Sequence, residues 1–166
     1  MAEANDIDTL VAVLADGDAT ARADAAERLC RLGAAAATAA VPLVRACGDD
    51  DPTVREWAVA ALEDLGPPPA GATENLASLA ARADPLAAYW AVTLLGRSGQ
   101  SAAEAVPTLA VCLGADDSAV AERAAWALGK VGPSAALARA ALSAAAESPA
   151  PRLARLAREA LAAIGC

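Results

Sequence analysis

Glycine recurs every 33 residues along this chain, at Gly33, Gly66, Gly99, Gly132 and Gly165. Leucine stands four residues before each of them, at Leu29, Leu62, Leu95, Leu128 and Leu161. Alanine stands four residues earlier again, at Ala25, Ala58, Ala91, Ala124 and Ala157. A second leucine column runs Leu10, Leu43, Leu76, Leu109 and Leu142. Alanine is abundant enough here to fill a column by chance. Two leucine columns and a glycine column in one register are not chance. A fixed period of this size marks a stack of small units, each unable to bury its apolar face alone. The expected units are 1–33, 34–66, 67–99, 100–132 and 133–165, together a single domain over 1–166 with nothing appended.

Each unit reads as two helices. In the second, Val41, Val44 and Cys47 flank Leu43 as an i, i+3 stripe for a short first helix. Gly48-Asp49-Asp50-Asp51-Pro52 breaks it. Asp51 suits an N-cap, and Pro52 suits the first helical position, where no amide donor is needed. Val54, Ala58, Ala61, Leu62 and Leu65 then form one buried face. Gly66 ends the helix, because a left-handed residue costs glycine little. The punctuation returns as Asp84-Pro85, Asp18-Ala19 and Asp117-Ser118. The last unit has Ala150-Pro151, with Ser148 the nearest polar residue, so its cap is expected to be looser. Segments 34–40 and 66–73 are the connections, the second stiffened by Pro67, Pro68 and Pro69. Gly96, Gly99, Gly129 and Gly132 read as helix-end signals rather than a phosphate loop.

The segment from Asp51 to Gly66, DPTVREWAVAALEDLG, resembles the second helix of a HEAT repeat, with the pattern D-x-x-V-R-x-x-A-x-x-A-L-x-x-L-G. Val41-Pro42 and Val106-Pro107, opening first helices, also fit that class. Ankyrin repeats share the period, but no unit carries T-P-L-H. The resemblance covers the whole chain. It implies an all-α solenoid of five stacked two-helix HEAT-like repeats, whose second helices line the concave side. It implies little about task, since the class holds scaffolds, phycobilin lyase subunits and a DNA glycosylase group.

Composition excludes several chemistries. The chain has no His, so no Ser-His or Cys-His pair and no imidazole metal site. A formal charge of −8 argues against a nucleic-acid groove. Cys30, Cys47, Cys112 and Cys166 form no CxxC pair; Cys47 and Cys112 read as packing residues and Cys166 as a terminal thiol. The start is acidic, unlike a secretory leader, and no stretch approaches the ~18 uninterrupted apolar residues of a membrane helix. A cytoplasmic monomer without a membrane role, metal or cofactor is the expectation. The aspartates of the turns, Asp16, Asp18, Asp49, Asp50, Asp51, Asp84, Asp116 and Asp117, read as caps rather than a cation ridge. Arg22 and Arg55, in one column, are expected to bridge to acids of adjacent units. Arg152, Arg155 and Arg158 read as a solvated end face rather than a basic contact surface.

Aromatic residues make up 2% of the chain: Trp57, Tyr89, Trp90 and Trp126, all in second helices. Asp24, Arg123 and Leu156 share a column with Trp57 and Trp90. Glu27, Ala60, Thr93 and Glu159 share one with Trp126. Columns that admit charge are not deeply buried. The expectation is therefore an outward ridge running Trp57, Trp90, Trp126, with Arg97 and Arg123 on its rim and Tyr89 beside it. Against it stands a second reading, in which the rings fold over Ala60 and Ala61 and fill an alanine-rich core. The ridge points to a non-catalytic module that holds a partner peptide or helix, basic in view of the total charge. The alternative, by resemblance alone, is a subunit of a bilin-lyase-like or other HEAT-like enzyme that uses the ridge to hold a ligand.

Overall fold

A computed structural model describes residues 2–81 and 84–165. The described residues are helical and contain no strand. The chain forms two compact units, Met1–Pro69 and Ala70–Cys166, divided at the Pro-rich connection. Cys166 lies outside the described residues.

The first unit contains α1 (Ala2–Asp16), α2 (Ala19–Leu32), α3 (Ala40–Ala46) and α4 (Pro52–Asp64). The second contains α5 (Thr73–Ala80), α6 (Pro85–Arg97), α7 (Val106–Cys112), α8 (Ser118–Val131), α9 (Arg139–Ala146) and α10 (Pro151–Ile164). The helices pair as α1 with α2, α3 with α4, and onward to α9 with α10. Second helices also lie side by side: α2 against α4 in the first unit, and α6 against α8 against α10 in the second. This is a solenoid of helical repeats. The connections 33–39, 99–105 and 132–138 are themselves wound as 3-10 segments, each with a non-helical kink at Ala36, Ala102 or Ala135.

The sequence columns become structural positions. All five glycines of the 33-residue column have positive φ, from +52° at Gly33 to +83° at Gly165. A side chain there strains the backbone, which is why the period is written in glycine. The column Leu10, Leu43, Leu76, Leu109 and Leu142 is buried, as are Leu29, Leu62, Leu95 and Leu128. The alanine column is buried throughout, letting neighbouring second helices approach closely. Leu161, on α10, is only half-buried.

The caps follow the aspartates. Asp18, Asp51, Asp84 and Asp117 each accept from backbone N–H groups of the first turn that follows. Ala150 at the start of α10 supplies no side-chain bond, and Ser148 Oγ accepts from the Ala150 N–H instead. Among the described residues no cluster of three or more Asp, Glu, Cys or His side chains is placed to hold a metal ion. Cys47 and Cys112 are buried, and their thiols donate to the carbonyls of Leu43 and Ala80. Burial pushes the Cys112 thiol above its ordinary range.

Several expectations need correction. Arg22 does reach an acid of the next repeat: Nε and Nη2 donate to the two oxygens of Asp49 at 2.8 and 2.7 Å. Arg55 donates instead to the carbonyls of Asp49 and Asp50 in its own turn. Gly96 and Gly129 lie in the last turns of α6 and α8 without positive φ, and Gly99 and Gly132 just beyond carry the positive φ that ends each helix. The three arginines of α10 are exposed, as a solvated face requires, and take separate partners: Glu122 for Arg152, Glu159 for Arg155 and the Ala146 carbonyl for Arg158. The run Ala19–Ala46, taken as one helix of 28 residues, is long and apolar enough by composition to cross a membrane. It is not a single rod, because Gly33 at φ +52° ends α2, and Leu29, Ala36, Ala39, Leu43 and Val44 within it are core.

Candidate functional site

The face of the second unit formed by α6, α8 and α10 brings the distinctive side chains together. On α8, Val120, Ala121, Ala124, Ala125, Ala127, Leu128 and Val131 are buried. Glu122, Arg123 and Trp126 remain on the half-exposed side at i, i+1 and i+4. Residues spaced by three or four share a helix face, so Arg123, Trp126 and Lys130 project together.

Trp126 is half-buried and lies across α6 at Gly96. A Cβ on Gly96 would meet the indole and would stand 3.1 Å from the Ala127 Cα. The missing side chain therefore makes the seat for the ring. Gly129 plays a smaller version of the same part, admitting Ala160 of α10, whose Cα lies 3.3 Å from where its Cβ would be. The guanidinium of Arg123 stands 5.0 Å from the Trp126 ring centre and 4.8 Å from that of Tyr89. Its Nη2 also donates to the Tyr89 hydroxyl. The Lys130 ammonium sits 5.8 Å from the Trp126 ring. Cation–π contacts of this kind contribute ~0.5–2 kcal/mol each, depending on desolvation. Together these groups pack around Trp126 and Arg123.

Two clefts flank Trp126. One, of about 190 Å³, lies toward the N-terminal ends of α8 and α10, with Tyr89, Glu122, Arg123, Arg152 and Leu156 on its walls. The other, of about 320 Å³, is bounded by Ala125, Gly129, Lys130, Glu159 and Ala163. Glu122 is paired with Arg152 at 3.1 Å. A further cleft, of about 570 Å³, lies in the first unit between α1 and α3, with the Arg22–Asp49 pair on its wall.

The remaining aromatics divide. Trp57 lies on α4 in the first unit and is half-buried. Tyr89 is half-buried, its ring edge-on to Trp90 at 5.6 Å. Trp90 is only 7% exposed, which overturns the expectation that it faces outward, while Trp57, Arg123 and Leu156 of its column stay half-buried and Asp24 exposed. The reason is local. From Ala87 to Gly96 every α6 residue except Tyr89 is buried, Tyr89 covers one edge of the indole, and Arg97 lies 5.8 Å from its centre. Trp90 thus follows the core-filling reading, while Trp126 keeps an open side.

Lys130, Glu122, Arg152 and Leu156 were not singled out as members of this site from sequence. Their signal was the 33-residue offset of α8 and α10 together with i, i+4 spacing from Trp126. The site offers aromatic faces, guanidinium groups and shallow apolar walls, which are groups that bind.

Comparison with known proteins agrees with the architecture. Residues 7–82 and 72–162 match the HEAT repeats family. No curated protein sequence matches. Among solved structures, an engineered protein superposes with a TM-score of 0.69 at 24% identity, over 96% of this chain and 79% of that one. A designed armadillo repeat protein in complex with the peptide (KR)4 gives 0.68 at 19% identity, over 93% and 80%. The complex of CpcE and CpcF of phycocyanin lyase from Nostoc sp. PCC7120 gives 0.60 at 21% identity, over 93% and 96%. At these identities the likeness is one of fold.

Proposed function

The chain belongs to the HEAT-repeat family, and from that premise we propose that it is a non-catalytic interaction module holding a partner peptide or helix on its second-helix face. The observation that carries this reading is Trp126: an indole seated on Gly96, braced by Arg123 and Lys130, with a cleft open on either side. Tryptophan and arginine are the commonest anchors of interfaces, and a rigid anchor loses little freedom on binding. Tyr89 and Arg123 line the docking surface, Arg97 lies at its edge beside Trp90, and Trp90 supports the surface from beneath. Trp57, half-buried on α4, belongs to the first unit and is no part of this surface. Protein and peptide binding is common among helical repeats, and the designed armadillo neighbour holds a peptide, so the reading fits the scaffold.

Both the docking reading and the bilin-holding alternative start from a ridge of three open indoles, and the docking reading narrows to Trp126 and its two clefts. Burial of Trp90 removes the middle of that ridge, so the bilin-holding reading gains no support from geometry.

Selection from a displayed random-peptide library tests the proposal. Peptides enriched on the wild type are expected to lose about tenfold or more in affinity, ~1.4 kcal/mol, on Trp126→Ala. Leu137→Ser, at an exposed leucine that lines neither cleft, is expected to leave them unchanged. A library that yields no binders, or binders indifferent to Trp126→Ala, overturns the reading.

A further inference from the structure

We propose that the smaller cleft beside Trp126 is a carboxylate seat, which takes an Asp or Glu side chain of an acidic partner segment onto Arg123. The proposal rests on the docking reading above and specifies the chemistry of its occupant.

Two guanidinium groups and one carboxylate line this cleft: Arg123, Arg152 and Glu122. The carboxylate is already committed, with Arg152 Nε 3.1 Å from Glu122 Oε2. Among the described residues Arg123 pairs with no carboxylate. Its contacts are the faces of Tyr89 and Trp126 and the Tyr89 hydroxyl. A guanidinium carries five N–H donors in a planar fork. The two ring faces attract the cation without accepting hydrogen bonds in its plane, and the hydroxyl takes one donor. The remaining donors are left to the cleft.

Arg22 shows the closed version of the same arrangement. There the protein supplies its own acid, and Asp49 accepts from Nε and Nη2 with both oxygens. Arg123 has the same fork, held by aromatic faces in place of an acid. A planar fork fixed in advance matches a carboxylate in bidentate fashion and loses little side-chain entropy on doing so. Leu156 and Trp126 supply apolar walls for the methylene stem of an entering Asp or Glu.

The total charge of −8 points the other way, toward a basic partner. Distance decides between the two. At physiological ionic strength charges are damped beyond about 8 Å, so the acids spread over the rest of the surface act weakly at the cleft. Of the acids on α8 and α10, Glu122 and Glu159 are each paired with an arginine of α10, and Asp117 at the start of α8 accepts from the Ala119 and Val120 N–H groups. Lys130 adds a second cation on the far side of Trp126. With Arg152 balanced by Glu122, Arg123 leaves the smaller cleft with one uncompensated positive charge.

The test uses three short labelled peptides with leucines at the same positions and Asp/Glu, Gln or Lys/Arg between them, read by fluorescence anisotropy on the full chain. The acidic peptide is expected to bind about tenfold or more tighter than the Gln peptide, with the Lys/Arg peptide weakest. Arg123→Gln is expected to abolish the preference, and Arg123→Lys, which keeps the charge but not the fork, to restore part of it. The charge series on unaltered protein needs no variant to fold. Equal or tighter binding of the Gln or Lys/Arg peptide overturns the carboxylate seat, and if that binding still needs Trp126 the docking reading stands. An acidic preference that survives Arg123→Gln also overturns it. Failure of all three peptides overturns the seat, while the library selection separately decides the docking reading.

Discussion

The benzo edge of the Trp126 indole occupies the space that a Cβ on Gly96 would fill, with Trp126 Cζ3 and Cε3 the first atoms met. The two residues lie on neighbouring second helices, so one glycine sets the pose of the proposed anchor. Gly96→Ala gains about 0.5–1 kcal/mol of helix propensity but forces the ring aside at a cost of ~1–3 kcal/mol. The expected net result is a loss of ~1–2 kcal/mol by urea denaturation. In a Trp126→Ala background the same change is expected to cost less than half as much, because the clash with the ring is gone.

The leucine columns predict an unequal cost along the chain. Leu62 is fully buried, and Leu62→Ala is expected to cost ~2–5 kcal/mol. Leu161 occupies the same column but is half-buried, so Leu161→Ala is expected to cost less than ~2 kcal/mol. Urea midpoints of the two variants check the order. Equal losses contradict the stacking account.

The helix caps offer a gain as well as a loss. Ala150 has φ −79° and ψ 107°, close to the −81° and 125° of Asp51, yet it carries no capping oxygen. Ala150→Asp is expected to raise stability by ~0.5–1 kcal/mol, and Asp51→Ala to lower it by ~1 kcal/mol. Thermal melts of both variants test the pair.

This pattern shows how far the sequence was legible. Glycines at positive φ and leucines between layers serve backbone or packing at every repeat, and aspartates cap α2, α4, α6 and α8, so the 33-residue register displays them. The aromatic sites are not required at every repeat. Superposing units gave Trp90 the tolerance of Asp24, which sits in the first unit, whereas α6 is enclosed along nearly its whole length. Column averaging mixes covered and uncovered repeats. Gly96 is a related case: a glycine three residues before a helix-ending glycine looks like punctuation alone, and only the neighbouring helix reveals that it also admits an indole. Arg55 shares the column of Arg22 but lies near the carbonyls of its own turn, a choice of partner that spacing does not encode.

Acid is expected to weaken the first unit through Asp49. The hydrogen bonds from Arg22 hold its carboxyl below the usual range, outweighing the effect of burial. A carboxylate with a folded pKa below its unfolded value, which is about 3.9 for Asp, contributes stability above that value. The contribution disappears as pH falls through the lower folded pKa. Asp49→Asn is therefore expected to lower the urea midpoint at neutral pH, with the gap to wild type closing below about pH 4. A gap that stays constant into strong acid contradicts this role.

The most direct test of the docking account is tryptophan emission in two single-indole proteins, one keeping Trp126 and the other keeping Trp90, each with a library-selected peptide. Before peptide, Trp90 is expected to emit at shorter wavelength and to resist acrylamide, and Trp126 to be the more readily quenched. On saturation, Trp126 is expected to shift to the blue and become protected while Trp90 stays unchanged. A bound peptide that leaves Trp126 as quenchable as before contradicts the account.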